Sequence, residues 1–460
     1  MTKHAHTAPS DGLLSRWGAG LADWSERWFP DAFVFALAAV VIVFCGGLAV
    51  GAGPIDMAEA FGKGFWSLVP FTMQMAMVIV GGYVVAVSPP VHWLIRQIAR
   101  IPSTPRGAVA FTALFAMLAS LLSWGFSLIF SGLLVKELAA RQRRVDFRAL
   151  AAAAYLGLGS IWALGLSSSA ALMMATPESL PAALKDVTGV LPLTRTLFLW
   201  QNLVLIVTLL VVSVVVAWLS YPAEARIRTA SDLGVRLEPP TVAVDRPTTP
   251  GERLETSPFL ALAVAALGIA YLVVVFMDKG GMAALDLNTY NLGFLMLGLV
   301  LHGRPRSFLR AVSGAIPATG GVLVQFPFYG GVFGILTGTA LSATLAGAFT
   351  AVTTRDTFPL FTAAYSAVLG MFVPSGGGKW VIEAPYLMTA ANAHGVDAGW
   401  VVQIYNAAEA LPNLINPFWM LPLMGLLNVR ARELAGFSIL QLMVHTPVVF
   451  LLCWALSYTF

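Results

Sequence analysis

Charge is what this sequence has least of. Only 11% of its 460 residues are Asp, Glu, Lys or Arg, against about 25% in a soluble globular domain, so the chain cannot clothe itself in polar surface. Cysteine is nearly absent. Cys45 and Cys453 lie in apolar segments at opposite ends, which excludes a disulfide framework, and no His/Cys/Asp/Glu spacing suits a transition metal. Lysine numbers six against twenty-one arginines, and the net charge of +4 is too small to draw nucleic acid. A soluble enzyme, a secreted scaffold and a disordered chain are excluded. What is present is apolar: 58% of residues, a mean hydropathy of +0.79, and uncharged runs long enough to cross a bilayer. The lipid bilayer is therefore the first partner. The run from Ala32 to Val50 is longer than a signal-peptide core and reads as a retained first span.

Apolar windows place spans near 31–51, 65–88, 107–135, 149–175, 192–220, 258–277, 287–302, 311–337, 358–392, 399–427 and 434–459. Two windows are interrupted. Ser123-Trp124-Gly125-Phe126-Ser127 breaks one, and Val373-Pro374-Ser375-Gly376-Gly377-Gly378 breaks the other. Each reads as a re-entrant helical hairpin. Arg96, Arg100 and Arg106 precede the first, and Lys136, Arg141, Arg143, Arg144 and Arg148 follow it, so both flanks belong on the cytoplasmic face. A single crossing cannot put both ends on one face; a hairpin can. Arg355, Asp356 and Asp397 put the second hairpin on the outer face. Two hairpins and nine crossings then leave the N-terminus cytoplasmic, with twenty-one bases inside, five outside, and Lys379 within the membrane.

A shift of 250 lays Trp124-Gly125 on Pro374-Ser375, Gly64 on Gly314, Gly81 on Gly331 and Tyr155 on Tyr405. The identities are sparse, and the weight rests on the shared order of elements. The expected fold is an all-α polytopic membrane protein of inverted repeats, with two re-entrant hairpins and two broken transmembrane helices. A cytoplasmic segment spans 1–30. The first repeat, 31–220, holds a hairpin at about 107–139 and a broken helix at 149–175. A cytoplasmic linker, 221–257, and a connecting helix, 258–277, lead to the second repeat, 281–460, with a hairpin at about 358–394 and a broken helix at 399–427.

Non-helical backbone at membrane depth must line protein or water. Four breaks occur in paired positions: the two hairpin tips, Ala163 to Ser169, and Asn413 to Pro417. Glycines pack helices closely and Pro417 can simply kink one, but four paired breaks favour transport. Helix N-terminal ends hold anions and freed carbonyls hold cations. Ser123, Gly125 and Ser127 with Gly165, Ser167, Ser168 and Ser169 are expected to form one coupling-ion site. Its mate would be 375–378 with Asn413 and Asn416, and Glu409 joins the coupling set. The ion is Na+ or H+, with no other cofactor. Lys379, Glu383 and Glu409 are the formal charges expected in the hydrocarbon zone, where a charge costs about 2.5–3.5 kcal/mol. Lys379 and Glu383 can pair at i,i+4. A lysine in a helix's first turn opposes the dipole, so an incoming carboxylate explains it better than local stability. The substrate set is Ser375, Gly376, Gly377, Gly378, Lys379, Trp380, Glu383, Gln325 and Trp124. A plain hydrogen-bonding role stays open for Gln325 and Glu409, as does a wetted hairpin pair for Lys379 and Glu383. An intramembrane enzyme is disfavoured, because no nucleophile–base or metal motif accompanies these residues.

The chain resembles the short-chain fatty acid transporter family, the AtoE-like permeases within the ion-transporter superfamily, from about Trp28 to Phe460. The residues that carry this are Arg27-Trp28-Phe29-Pro30-Asp31, Gly64-Phe65-Trp66 with Met73-Gln74-Met75, Trp124-Gly125-Phe126, and Ala175-Thr176-Pro177. Leu323 to Tyr329, Asp356-Thr357-Phe358-Pro359, Pro374-Ser375-Gly376-Gly377-Gly378 with Trp380, and Pro417-Phe418-Trp419 complete them. The resemblance implies cation-coupled uptake of small monocarboxylates, butyrate- or acetoacetate-like, across the bacterial inner membrane by an elevator-type carrier. A carrier or exporter of another small organic anion is the alternative. A second copy of the chain, as a homodimer, is a further candidate partner.

Overall fold

The computed structural model describes residues 32–235, 237, 247–373 and 375–460. The expected segment 1–30, the Arg27 to Asp31 motif, Pro239-Pro240 and Pro374 lie outside the described residues. Among those described, all regular structure is helical, and seven stretches are long and apolar enough to cross a membrane. Their burial sorts them. The stretch Phe147–Ala175 is almost wholly enclosed, whereas Pro250–Asp278, Trp200–Leu219 and Ala431–Ser457 leave most of their apolar surface outside. An apolar helix with little of itself buried needs hydrocarbon around it.

Both interrupted windows are helix pairs. In the first, Pro105–Leu122 and Trp124–Arg141 pack against each other across Ser123. Ser123 is extended (φ −159°, ψ 124°), and its hydroxyl accepts from the Phe126 N–H at 3.3 Å, which starts the second arm. In the second, Phe358–Phe372 and Gly376–His394 pack together, and Ser375 repeats the device by accepting from Gly378 N–H at 3.2 Å. The far ends of each pair are also joined. Gln142 Nε2 donates to Pro102 O at 2.7 Å, and Thr353 Oγ1 lies 3.0 Å from His394 Nε2.

The two broken helices are present as well. Phe147–Leu156 loosens into a π-turn, Gly157–Ile161, and a 3-10 turn, Trp162–Leu164, before Ser169–Ala175 resumes. Gly157 sits where a Cβ would lie 2.4 Å from the Ala116 carbonyl, so the first hairpin presses on the backbone there. Ala398–Asn413 breaks at 414–416 and continues as Pro417–Leu427, with a proline at its first position, where a missing N–H leaves no bond of the new helix unmade.

The same pairings recur in each half. Phe147–Leu156 packs on both arms of the first hairpin, and Ala398–Asn413 on both arms of the second. Trp200–Leu219 packs on the first hairpin's leading arm, and Ala431–Ser457 on the second's. Val69–Ala86 touches the first hairpin's returning arm, as Gly320–Gly338 touches the second's. Two windows read as single spans are divided. Pro54–Ser67 and Val69–Ala86 meet at Leu68, and Pro305–Ala315 passes through a 3-10 turn at Ile316–Thr319 into Gly320–Gly338. Gly320–Gly338 lies backbone to backbone on Pro54–Ser67. A Cβ on Gly334 would sit 2.1 Å from Ala60 O, and one on Gly64 2.3 Å from Gly330 O. The start of the linker is docked rather than free: Asp146, buried, accepts from Arg228 N–H at 2.9 Å and pairs with Arg148 at 2.7 Å.

Candidate functional site

A cavity of about 430 Å³ opens between the two hairpin tips and the Gly320–Gly338 helix. Trp124 enters from the first tip, Ser375 from the second, Gln325 and Phe326 from the helix, and Trp419 from the second broken helix. The indole rings of Trp124 and Trp419 meet edge to face at 5.8 Å. The opposite wall is 317–322, with Phe33 and Ile79. Among the described residues, no charged side chain lines this space. Its polar side chains are Gln325 and Ser375, and Ser375 opens the helix Gly376–His394, where it caps Gly378 N–H.

The glycines of that turn are set by crowding. A Cβ at 376 would lie 2.5 Å from the Trp162 ring, at 377 2.9 Å from Phe71, and at 378 2.2 Å from the Tyr329 ring. Ser169 also abuts the turn, its Oγ 3.2 Å from where a Cβ of Gly376 would stand. The second tip therefore rests on the break of the first broken helix. The expected pairing of 375–378 with 413–417 is not what the contacts bring together. Asn413 offers its carbonyl to Tyr155 Oη at 2.6 Å, and Gly376 offers its own to Tyr405 Oη at 2.5 Å. Those two carbonyls are taken, but the Asn413 side chain, fully buried, has no hydrogen-bond partner among the described residues.

The other expected cluster does assemble. Ser167 Oγ accepts from Trp124 N–H at 3.0 Å, and Leu166 N–H donates to Leu121 O at 2.7 Å. A Cβ on Gly165 would lie 2.4 Å from Leu121 Cα, so the first tip and the first break are in backbone contact. The hydroxyls are largely employed in that assembly. Ser127 donates to Ala116 O at 2.7 Å, while Ser168 accepts from Ala171 N–H and lies 3.2 Å from Asn406 Oδ1. Gly125 sits beside the Ile79 backbone.

Lys379, Glu383 and Trp380 stand behind the cavity rather than on its wall. Lys379 Nζ lies 3.1 Å from Glu383 Oε1, 2.7 Å from Glu409 Oε2 and 2.8 Å from Ser366 O, over the Tyr405 ring at 4.4 Å. The contact to Ser366 O is a hydrogen bond, and the two carboxylate contacts are close ion pairs. In this conformation the ammonium is enclosed by these partners and is not on the cavity wall. Ser366 Oγ donates to Glu383 Oε2 at 2.5 Å. All three charged side chains are at most 1% exposed. Trp380 packs against Tyr405 with the rings tilted and their centroids 4.7 Å apart.

Two features escaped the sequence reading. One is the Lys379–Glu409 contact, which spans thirty positions and carries no local signature. The other is the 317–322 wall, for which the string Pro317-Ala318-Thr319-Gly320-Gly321 inside an apolar window was the available signal.

A family description reading "Short chain fatty acid transporter" matches residues 13–456. Two curated relatives are named for the same family. One, from Escherichia coli (strain K12), is 35% identical over 94% of this chain and 97% of its own length. The other, from Haemophilus influenzae (strain ATCC 51907 / DSM 11121 / KW20 / Rd), is 33% identical over 95% and 98%. Among solved structures, the Alcanivorax borkumensis YdaH transporter aligns with a TM-score of 0.61 at 14% identity, covering 92% of this chain and 98% of that one. MtrF of Neisseria gonorrhoeae, from a class of antimetabolite efflux pumps, aligns at 0.57 and 13%, covering 94% and 97%. At such low identity these two likenesses speak for the fold alone.

Proposed function

The chain belongs to the short-chain fatty acid transporter family, a family of transporters rather than enzymes, and we propose that it carries small monocarboxylates such as butyrate or acetoacetate across the bacterial inner membrane by cation-coupled symport. The observation that carries this reading is the cavity between the tips. It offers what a short fatty acid needs and little else. The carboxylate docks on the first-turn N–H groups beside Ser375, where the helix dipole favours an anion, and Gln325 adds an amide donor. The alkyl chain lies between Trp124, Phe326 and Trp419. A neutral site suits an anion that must also leave it, since a buried lysine would hold the carboxylate more strongly than transport allows.

The moving parts follow from which contacts are rigid. Gly320–Gly338 is locked to Pro54–Ser67 by backbone contact, so that pair is the frame. The hairpins and broken helices are joined to one another by backbone contacts, polar caps and packed rings and form the carrier unit, sliding past the frame as an elevator does. The N-terminus is cytoplasmic, the first hairpin re-enters from the cytoplasm and the second from outside, in keeping with the bias of basic residues. A second reading, carriage of a larger organic anion, is favoured by one feature: the cavity is roomier than a four-carbon acid requires. Reconstituted liposomes decide between them. Saturable, protein-dependent uptake of labelled butyrate or acetoacetate supports the first reading. Uptake competed only by larger carboxylates supports the second, and no uptake of any carboxylate refutes both.

A further inference from the structure

Two carboxylates and one ammonium are sealed together in the second half of this protein, and their charges do not cancel. Lys379 is bonded to Glu383, Glu409 and Ser366 O, and all three ionisable groups are at most 1% exposed. A charge of −1 left over at such depth needs a partner. The two glutamates are not equivalent. Glu383 accepts a hydrogen bond from the Ser366 hydroxyl at Oε2 and forms an ion pair with Lys379 at Oε1. Glu409 has no hydrogen-bond partner at either oxygen among the described residues; its Oε2 forms an ion pair with Lys379, and its buried Oε1 has neither. One turn further along the same helix, Asn413 keeps both side-chain atoms unpartnered, in the direction of the break that precedes Trp419 and the cavity.

We infer that Oε1 of Glu409 is the seat of the transported proton, which makes the coupling ion H+ and leaves Lys379–Glu383 as a fixed counter-pair. This deepens the symport reading above and rests on it. The proton adds to the Glu409 carboxylate, giving a neutral carboxylic acid beside a balanced ion pair, and leaves from the same oxygen on the other side of the membrane. Protonation offsets the charge that a bound carboxylate brings, so the unit loaded with proton and anion carries the same net charge as the empty, deprotonated unit, and these two forms cross. A bound anion without the proton adds a further negative charge and is held back. Asn413, with both side-chain polar atoms unpartnered, is positioned to hold a water that takes the proton toward the break.

Among the described residues, no other charged group competes for this role. Beside Lys379 and Glu383, the ionisable groups near Glu409 are Tyr405 on its own helix and Tyr329 on Gly320–Gly338, while Tyr365 on Phe358–Phe372 and Tyr386 on Gly376–His394 lie near Glu383. Tyr405 Oη is committed to Gly376 O, and Tyr365 and Tyr386 bond each other at 2.8 Å. From Ala431–Ser457, which also packs here, His445 is bonded instead to Ser213 Oγ at 2.9 Å. The turns Gly157–Ile161 and Trp162–Leu164 contribute no ionisable side chain.

Two measurements test the assignment. The first is infrared difference spectroscopy of the purified full-length protein between acidic and alkaline buffer, which needs no substrate. A carboxylic-acid C=O band that titrates in the wild type, is lost in Glu409→Gln and is kept in Glu383→Gln is expected. A band lost in Glu383→Gln and kept in Glu409→Gln overturns the assignment, as does a wild type with no titrating band. The second is acetoacetate accumulation in liposomes under an imposed pH gradient or an imposed Na+ gradient, with protein-free vesicles as the baseline because undissociated short acids cross lipid unaided. The wild type is expected to accumulate under the pH gradient alone, and monodisperse Glu409→Gln to fall to the baseline. Accumulation that needs Na+, or that survives in Glu409→Gln, overturns the inference while leaving the carrier reading intact. If the wild type takes up no carboxylate while the infrared band behaves as expected, the substrate reading fails and the proton site stands.

Discussion

Replacing Lys379 by Met tests the buried charge cluster most directly. The wild-type ammonium sits 3.1 Å from Glu383 Oε1 and 2.7 Å from Glu409 Oε2. Those oxygens are therefore about 5 Å apart, and two bare carboxylates at that separation repel by about 3 kcal/mol at an effective dielectric of 20. Breaking a buried pair from one side costs about 3–5 kcal/mol, because the abandoned charge stays desolvated. Lys379→Met leaves two such charges, and it also leaves Ser366 O without its donor. A fall in the melting temperature of the detergent-solubilised protein is expected, with lower yield. The double variant Lys379→Gln with Glu383→Gln removes one charge of each sign, and the Ser366 hydroxyl can still donate to the amide oxygen that replaces the Glu383 carboxylate. It is expected to recover most of the lost stability. The assay is size-exclusion recovery after a temperature ramp for the wild type, the single and the double variants. If Lys379→Met melts with the wild type, or if the double variant is no better than the single, the cluster is not the buried ion triad described above.

Three further outcomes follow from other contacts. Gly334→Ala places a Cβ 2.1 Å from the Ala60 carbonyl; backbone cannot yield cheaply, and a loss of about 1–3 kcal/mol is expected in the same ramp, with wild-type melting as the refuting result. Ser375→Ala removes the cap on Gly378 N–H, worth about 1 kcal/mol, so the half-saturation concentration for butyrate in liposomes should rise several-fold; an unchanged value would remove this helix end from the site. In a Cys45→Ser background, Ser103→Cys and Arg143→Cys should both react with an impermeant thiol reagent from the cytoplasmic side. Arg355→Cys and Ala393→Cys should react from outside, and opposite-side labelling within either pair refutes the re-entrant hairpins.

Much of this fold can be read from sequence because hydrocarbon punishes irregular backbone. A serine or a glycine run inside an apolar window has few uses there except to turn the chain or cap a helix, and Ser123 and Ser375 do both. Paired basic flanks around 107–135 anticipated two chain ends on one face, and the Gln142–Pro102 bond joins those ends. Side-chain destinations were less legible. Lys379 showed a single partner in sequence, Glu383 at i,i+4, so the surplus positive end seemed free for substrate. Its shorter contact, to Glu409, comes from the next helix in the chain, and helical periodicity within one element carries no information about its rotation against another.

The serines show the same limit. Ser127 and Ser168 lie at the expected break, but their hydroxyls are engaged with Ala116 O and Asn406 Oδ1. A repeat constrains the pairing of breaks only within a half. The shared order of elements tells which helices pack within a half, and each half indeed repeats its internal pairings. It says nothing about contacts between halves, where the functional surfaces meet. There the tips cross over. Gly376 and Gly377 press on Trp162 and Ser169 of the first broken helix, while Trp124 of the first tip meets Trp419 of the second. Each half thus closes the other's break, and the cavity where they meet is lined by Trp124, Gln325 and Ser375 of the expected substrate set. The proposed seats of the carboxylate, Ser375, and of the proton, Glu409, lie on the second hairpin and the second broken helix, which pack together in this crossed unit. If the unit moves as one body, as proposed above, both travel with it.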